Sequence, residues 1–233
     1  MDDLQERIEQ LAQMLAESRY TVVFTGAGIS TDSGLRDFRG PDGLWTRRDK
    51  GLPTPEQNWT GVQPNSGHYA IQELQNLGKM SFLISQNVDN LHLQSGIIPE
   101  RLAELHGNLT KVRCTACDFK MDRIEGERNC PLCGGKLKST VVDFGDSLPV
   151  KDLQESYKHS QMCDLFVVVG SSLVVYPAAD MPAVALEARA KLVIINQGET
   201  PFDANAHLRF NEKIDEVLLP AIKRLKELLK KTD

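Results

Sequence analysis

The sequence lacks any apolar run approaching the ~20 residues that a membrane-spanning helix requires. It also lacks an excess of positive charge, since the formal net charge of the 233 residues is −5, and this argues against broad electrostatic binding to nucleic acid. The chain opens with Met1, Asp2 and Asp3 and has neither the basic nor the apolar region of a signal peptide. We therefore expect a cytoplasmic protein that does not contact membranes, and we expect a monomer.

A tight Gly-x-Gly-x-x-Gly fingerprint is also missing, although a glycine-rich turn follows a predicted strand. The apolar run Thr21–Phe24 is predicted to be a buried strand, and Gly26, Ala27 and Gly28 come shortly after it. Glycines at such a turn let backbone N–H groups approach a pyrophosphate. The strand near Ile194 ends in Asn196, where a dehydrogenase often carries an acid. The turn therefore indicates dinucleotide binding and disfavours hydride transfer.

Predicted strands alternate with predicted helices, which is typical of a parallel sheet covered on both faces. The opening segment, residues 2–18, has apolar residues at helical spacing and is predicted to be an amphipathic helix. The further predicted strands are Met80–Ser85, Leu165–Val169 and Lys191–Ile195, and the further predicted helices are Gly67–Leu77, Pro182–Arg189 and Ile214–Lys231. The pattern predicts an α/β fold.

Four of the five cysteines form two knuckles, Cys114-x-x-Cys117 and Cys130-x-x-Cys133, with twelve residues between them. This spacing is typical of one tetrahedral Zn²⁺ held by four thiolates. Because the protein fills all four positions, the metal is expected to be structural and to fold a segment too small for its own core. The alternatives are a disulfide pair, which a reducing compartment disfavours, and a redox dithiol.

Two polar clusters lie at the carboxyl end of a sheet strand or in the loops that follow, where open α/β folds bind ligands. The first contains Gln86, Asn87 and Asp89, and the second contains His106. Asn87 and Asp89 alone could equally cap the next helix, and a single histidine is more often structural than catalytic.

In combination, these motifs make the chain resemble the sirtuins, which are NAD-dependent protein-lysine deacylases, of a bacterial or archaeal type. The resemblance runs from about Thr21 to Leu218 and includes the paired cysteine knuckles. Its other motifs are Gly26-Ala27-Gly28-Ile29-Ser30, Asp37-Phe38-Arg39-Gly40, Gln86-Asn87-Val88-Asp89, Leu105-His106-Gly107, Gly170-Ser171-Ser172-Leu173 and Ile195-Asn196.

The resemblance implies a Rossmann-like NAD-binding domain over residues 1–34, 78–108 and 140–233. A smaller domain would combine a helical segment, 35–77, with a zinc ribbon-like module, 109–139. NAD and an acyl-lysine peptide would enter the cleft between the two domains. The implied NAD-binding residues are Gly26, Ala27, Gly28, Ser30, Asp37, Phe38, Arg39, Gln86, Asn87, Asp89, Gly170, Ser171, Ser172, Asn196, Gln197 and Lys213.

The resemblance also implies a reaction in which NAD is consumed. His106 would act as the general base on a ribose hydroxyl, and Asn87 and Asp89 would position the ribose and the nicotinamide. The loop Val142, Asp143, Phe144 and Gly145 would pair with the backbone of the substrate peptide. The products would be nicotinamide, O-acyl-ADP-ribose and free lysine, with acetyl as the expected acyl group. The alternatives are a mono-ADP-ribosyltransferase that uses the same NAD pocket, and a non-catalytic NAD-sensing scaffold.

Overall fold

The computed structural model describes residues 3–143 and 145–231. Strands in this part of the chain form two sheets. They are β1 (Thr21–Thr25), β2 (Phe82–Ser85), β3 (Leu102–Glu104), β4 (Lys111–Cys114), β5 (Lys120–Asp122), β6 (Leu137–Ser139), β7 (Leu165–Val169), β8 (Lys191–Ile195) and β9 (Leu208–Phe210). The α-helices are α1 (Asp3–Glu17), α2 (Leu44–Asp49), α3 (Ser66–Asn76), α4 (Leu91–Gln94), α5 (Val150–Met162), α6 (Met181–Glu187) and α7 (Ile214–Leu229).

The larger sheet has six strands in the order β3-β2-β1-β7-β8-β9, and all its strand pairs are parallel. Chain order reverses between β1 and β7, so the connections after these two strands lead to opposite halves of the sheet. Open α/β sheets bind ligands in the crevice at such a reversal, outside the carboxyl ends of the strands. The fold thus fixes where a ligand site is expected before any side chain is considered.

Apolar side chains cover both faces of this sheet because successive strand residues point to opposite sides. On one face, Val23 and its neighbours pack with α1, α3 and α7. On the other face, Val22 and Phe24 pack with α6 and the segment around Cys163. Strands β1, β2 and β7 are buried along their whole length, as expected for central strands of a parallel sheet with two covered faces.

The smaller sheet is antiparallel, with β4 between β5 and β6. Within these three strands, only Val112 and Cys114 have buried side chains. So small an apolar contribution cannot stabilise three strands alone, which is consistent with a metal supplying part of the folding free energy.

The predicted α/β fold and parallel sheet are confirmed, and the bounds of β7 and β8 agree with the prediction. Helix α5 was not predicted from the sequence, and its fully buried residues are the serines Ser156 and Ser160 rather than an apolar stripe. Strands β3 and β9, which have three residues each, were not predicted either. Among the described residues, no helix combines the length and the apolar character that a membrane span needs.

Candidate active site and metal centre

The loops after β1 and β7 touch each other through glycines. The Gly28 N–H donates to the carbonyl oxygen of Gly170 over 2.8 Å, and the Gly26 N–H donates to Val169. A Cβ at Gly28 would lie 2.8 Å from the Gly170 Cα, and Gly170 itself has a φ of +64°. The glycines are therefore required by the close approach of two backbones. This contact keeps the floor of the crevice free of side chains.

Ser30, Asn87 and Asp89 form one hydrogen-bonded group beside that floor. The Ser30 hydroxyl donates to Asp89 Oδ2 over 2.6 Å and accepts from Asn87 Nδ2 over 3.1 Å. The other Asp89 oxygen accepts the Leu91 N–H at the start of α4. Burial raises the pKa of Asp89, although the hydrogen bond from Ser30 opposes that effect. Ser30 thus links Asn87 and Asp89, and Asp89 also accepts a backbone N–H at the start of α4.

Two buried histidines, His68 and His92, lie next to this group. His68 Nε2 lies 3.5 Å from the Ser30 hydroxyl, and its ring centroid is 5.0 Å from that of His92. His92 Nε2 contacts the Thr25 hydroxyl over 2.9 Å, whereas His92 Nδ1 is buried and has no hydrogen-bond partner among the described residues. Burial lowers the pKa of His68 to about 4 and holds that of His92 well below its usual value. Both rings are therefore neutral at pH 7.

His106 lies just after β3, with one ring nitrogen engaged. Its Nδ1 is 2.9 Å from the carbonyl oxygen of Gln86. A carbonyl oxygen can only accept, so Nδ1 carries the proton and Nε2 keeps a free lone pair. Burial lowers the pKa of His106, partly opposed by the hydrogen bond to Gln86. The ring is thus neutral at pH 7 and able to accept a proton through Nε2.

The segment after β7 connects to the same group. Ser171 is buried, and its hydroxyl donates to the side chain of Gln86 over 2.8 Å. The backbone of Gln86 therefore orients His106 while its side chain holds the loop after β7. Ser172 is half-buried beside it.

Asn196 and Gln197 follow β8, one strand further from the reversal. Asn196 is buried, and its amide group donates to the carbonyl oxygens of Gln197 and Gly198. Gln197 is exposed, as is Lys213, the residue before α7. Asn196 thus shapes the loop, while the two exposed side chains remain available to a ligand.

Asp37, Phe38 and Arg39 form a tight turn before α2. Asp37 Oδ1 accepts the Gly40 N–H over 3.1 Å, and burial raises the pKa of this carboxyl group. Phe38 packs against Trp45 with ring centroids 5.0 Å apart, and the Arg39 guanidinium lies 4.8 Å above the Trp45 ring. The turn presents an aromatic ring and a cation on one exposed segment.

The loop expected to bind the substrate backbone is anchored to the His106 segment. The Val142 N–H donates to the His106 carbonyl oxygen over 3.0 Å. Gly107 has a φ of +79°, and a Cβ there would overlap the carbonyl oxygen of Thr140. Asp143 and Gly145 follow in the same loop, and Phe144 lies outside the described residues.

The four cysteines of the two knuckles come together in space. The sulfur atoms of Cys114, Cys117, Cys130 and Cys133 all lie within 4.8 Å of one another. Neighbouring sulfurs are 3.4 to 3.7 Å apart, close to the ~3.8 Å expected around tetrahedral zinc with Zn–S bonds of ~2.3 Å. None of the cysteines forms a disulfide. The donor set fits Zn²⁺, and it leaves no position open for water.

The remaining cysteine, Cys163, is buried at the end of α5. Burial raises the pKa of its thiol to about 12. It is therefore an unreactive residue that packs as a small apolar side chain.

The residues that support the site were not predicted from the sequence. Asn65 accepts the N–H groups of Gly67 and His68 at the start of α3, and its amide group donates to the Ile29 carbonyl oxygen. An asparagine three residues before a histidine at a helix start is a detectable capping signal. The contact of His68 with Ser30, however, joins residues 38 positions apart.

Comparison with known proteins agrees with this geometry. A model of the Sir2 family matches residues 52–177. The NAD-dependent protein deacetylase 1 of Bradyrhizobium diazoefficiens is 39% identical and covers 94% of this chain and 97% of its own length. The chain belongs to the Sir2 family. The predicted sirtuin resemblance is thereby confirmed.

Two further Sir2 relatives differ in how much of their length this chain matches. The NAD-dependent protein deacetylase SRT1 of Arabidopsis thaliana is 41% identical over 95% of this chain but only 50% of the plant protein. The chain thus spans about half the length of that relative. A solved structure described as Sir2-p53 peptide-NAD+ superposes with a TM-score of 0.74 at 34% identity, covering 96% of this chain and 99% of the other.

Proposed function

We propose that this Sir2-family protein removes acyl groups, acetyl in the first place, from lysine side chains of proteins in an NAD-dependent reaction. The products are nicotinamide, O-acyl-ADP-ribose and free lysine. The observation that carries the proposal is His106, neutral and with Nε2 free, at the same sheet edge as the Ser30, Asn87 and Asp89 group. The name of the rhizobial relative supports this chemistry over the two alternatives.

The crevice at the strand reversal suits a dinucleotide. Its floor is made of glycine backbone, which permits close approach of a pyrophosphate. The residues that would hold NAD are Gly26, Ala27, Gly28, Ser30, Asp37, Phe38, Arg39, Gln86, Asn87, Asp89, Gly170, Ser171, Ser172, Asn196, Gln197 and Lys213. When bound, NAD supplies a ribose with a nicotinamide leaving group and the hydroxyls that accept the acyl group.

His106 is the general base of this proposal. Its proton is held on Nδ1 by the Gln86 carbonyl oxygen, so Nε2 is the atom that receives a proton from a ribose hydroxyl. Asn87 and Asp89 orient the ribose and the nicotinamide amide, and Ser30 fixes both side chains in turn.

The peptide side of the site is the loop of Val142, Asp143, Phe144 and Gly145. An extended peptide can add to such a segment through backbone hydrogen bonds. Because Val142 is tied to the His106 carbonyl oxygen, a peptide docked there would bring its acyl-lysine near the base. The p53 peptide in the solved Sir2 structure supports a peptide substrate.

One structural Zn²⁺ is proposed at the four cysteines, where it would hold β4, β5 and β6 together. The monomeric state and the cytoplasmic location stay predictions from the sequence.

The division into domains also stays a prediction. Within the proposed helical segment 35–77, the α3 residues Ala70, Ile71 and Leu74 pack in the same core as the large sheet.

The test is turnover of an acetyl-lysine peptide with NAD, followed by mass detection of O-acetyl-ADP-ribose. We expect His106→Ala to lose at least about 100-fold in turnover, the usual contribution of a general base, while NAD binding persists in calorimetry. The exposed His207→Ala variant is the matched control and should keep its activity. Full turnover by His106→Ala would refute the assigned base.

The same assay separates the alternatives. Release of nicotinamide that requires no acylated peptide would favour ADP-ribosyl transfer. NAD binding without turnover of acetyl-, butyryl-, myristoyl- or succinyl-lysine peptides would favour the scaffold.

A further inference from the structure

Positive charges lie side by side on one face of the small sheet. Arg113 on β4 is directly opposite Lys120 on β5 and Lys138 on β6. Lys111 is two residues before Arg113 on the same strand and shares its face, where the acid Asp122 of β5 is directly opposite Lys111. We call the face that carries Lys111, Arg113, Lys120 and Lys138 the basic face.

This arrangement is costly for the free protein. Like charges directly opposite each other in a sheet are destabilising. Two of the cations have acidic partners, since Lys111 lies 3.8 Å from Glu104 and Lys120 lies 3.3 Å from Asp152. Within the described residues, neither Arg113 nor Lys138 has an acid within 4 Å. The centre of the basic face therefore holds two cations that have no acidic partner within the part of the chain that the structure describes.

The basic face lines a cavity of about 310 Å³ between the small sheet and the loop after β6. Four cations line this cavity against two acids, Glu104 and Asp146. Gly107 and Val142 line it as well. One wall of the cavity is therefore formed by the segment that joins the proposed peptide loop to His106.

We propose that the basic face selects acyl-lysine peptides with acidic side chains on one flank of the modified lysine. This inference rests on the proposed function, because it takes the loop of Val142 as the path of the peptide. A peptide that leaves this loop toward the small sheet meets Arg113 and Lys138, which supply the opposite charge to Asp or Glu. Basic flanks are disfavoured there for the same reason.

Partial exposure of these side chains limits the size of the effect. Exposed ion pairs contribute modestly and are screened by salt. We therefore expect one glutamate on the correct flank to raise kcat/KM about fivefold at about 20 mM salt, with most of the gain lost at about 500 mM.

The test is a scan in which a single glutamate, glutamine or lysine is placed at each of four positions on either side of one acetyl-lysine. The wild-type protein should prefer glutamate over glutamine, and glutamine over lysine, on one flank only. Lys138→Glu should reverse that order, and Arg113→Gln/Lys138→Gln should remove it. Zinc content is measured for each variant because Arg113 precedes the ligand Cys114.

The matched control is Lys191→Gln/Lys223→Gln, which removes the same charge from exposed positions on β8 and α7. It should keep the wild-type preference. Equal turnover of the glutamate and glutamine peptides by the wild-type protein would overturn the inference and leave the proposed function intact. If no peptide is turned over, the binding affinity of labelled peptides is measured by fluorescence anisotropy. Equal affinities of the glutamate, glutamine and lysine peptides would then overturn the inference. Inhibition by inorganic phosphate that is equal for all peptides and is lost in Arg113→Gln/Lys138→Gln would identify a free anion as the occupant of the basic face and reject the peptide.

Discussion

The two buried histidines beneath Ser30 should make the protein less stable in mild acid. A histidine with a depressed pKa in the folded protein stays neutral while the same residue in the unfolded chain takes up a proton. Protonation therefore favours the unfolded chain once the pH falls below about 6.5. For His68, whose pKa is lowered to about 4 by burial, the loss of stability extends from about pH 6.5 down to pH 4.

The magnitude follows from the size of the shift. Each pH unit within this window corresponds to about 1.4 kcal/mol for one histidine. At about pH 5, His68 alone should thus lower the free energy of unfolding by about 2 kcal/mol relative to neutral pH. His92, whose pKa is also lowered by burial and by the nearby His68, adds a loss of the same sign. Well above pH 6.5 neither histidine lowers the stability, because both are neutral in the folded and the unfolded chain.

The assay is urea unfolding of the wild-type protein and of His68→Gln at about pH 7.5 and pH 5. For each protein, the free energy of unfolding at pH 5 is subtracted from that at pH 7.5. Any cost of the substitution that does not depend on pH cancels in this difference. We expect the wild-type change to exceed that of His68→Gln by about 2 kcal/mol. The same pKa can be read from the NMR shifts of the His68 ring in the wild-type protein. Equal changes in both proteins, or a ring that titrates near pH 6.5, would refute the reasoning.

Three further substitutions test the support of the site. Gly107→Ala should cost more than about 2 kcal/mol in unfolding free energy because its Cβ would overlap Thr140; Gly126→Ala, with similar φ and open space, should cost less, and equal costs would contradict the clash. Cys133→Ser should release the metal, seen as lost zinc in elemental analysis and earlier proteolysis of the small sheet; retained zinc would argue against a four-thiolate site. Ser30→Ala should lower turnover and cost about 1–3 kcal/mol by leaving the amide of Asn87 without its acceptor; unchanged turnover would separate Ser30 from the reaction.

Local patterns were sufficient to predict much of the chemistry. The cysteine spacing predicted a cluster that the fold does bring together, because both ligands of each knuckle lie within one turn of chain. The strands with uninterrupted apolar runs, such as β7 and β8, were predicted with their correct bounds. Uninterrupted apolar runs are typical of strands that are buried on both faces in a parallel sheet.

Elements whose burial depends on distant partners were missed. Helix α5 fully buries two serines and only partly buries its apolar residues Leu153 and Tyr157, so its apolar signal is weak. The three-residue strand β3 includes the charged Glu104 and exists because β2 pairs with it. In both cases, the stabilising contacts come from segments far away in the sequence.

The sequence by itself determined the residue types of the site, the α/β class and the paired cysteine knuckles, because each depends on neighbours within a few positions. The tertiary structure alone decided that Gly28 touches Gly170, that Gln86 sets the proton on His106, and that Arg113 lies between Lys120 and Lys138. Sheet order and strand register decide these contacts, and pairing across the sheet is set by the packing of the whole chain.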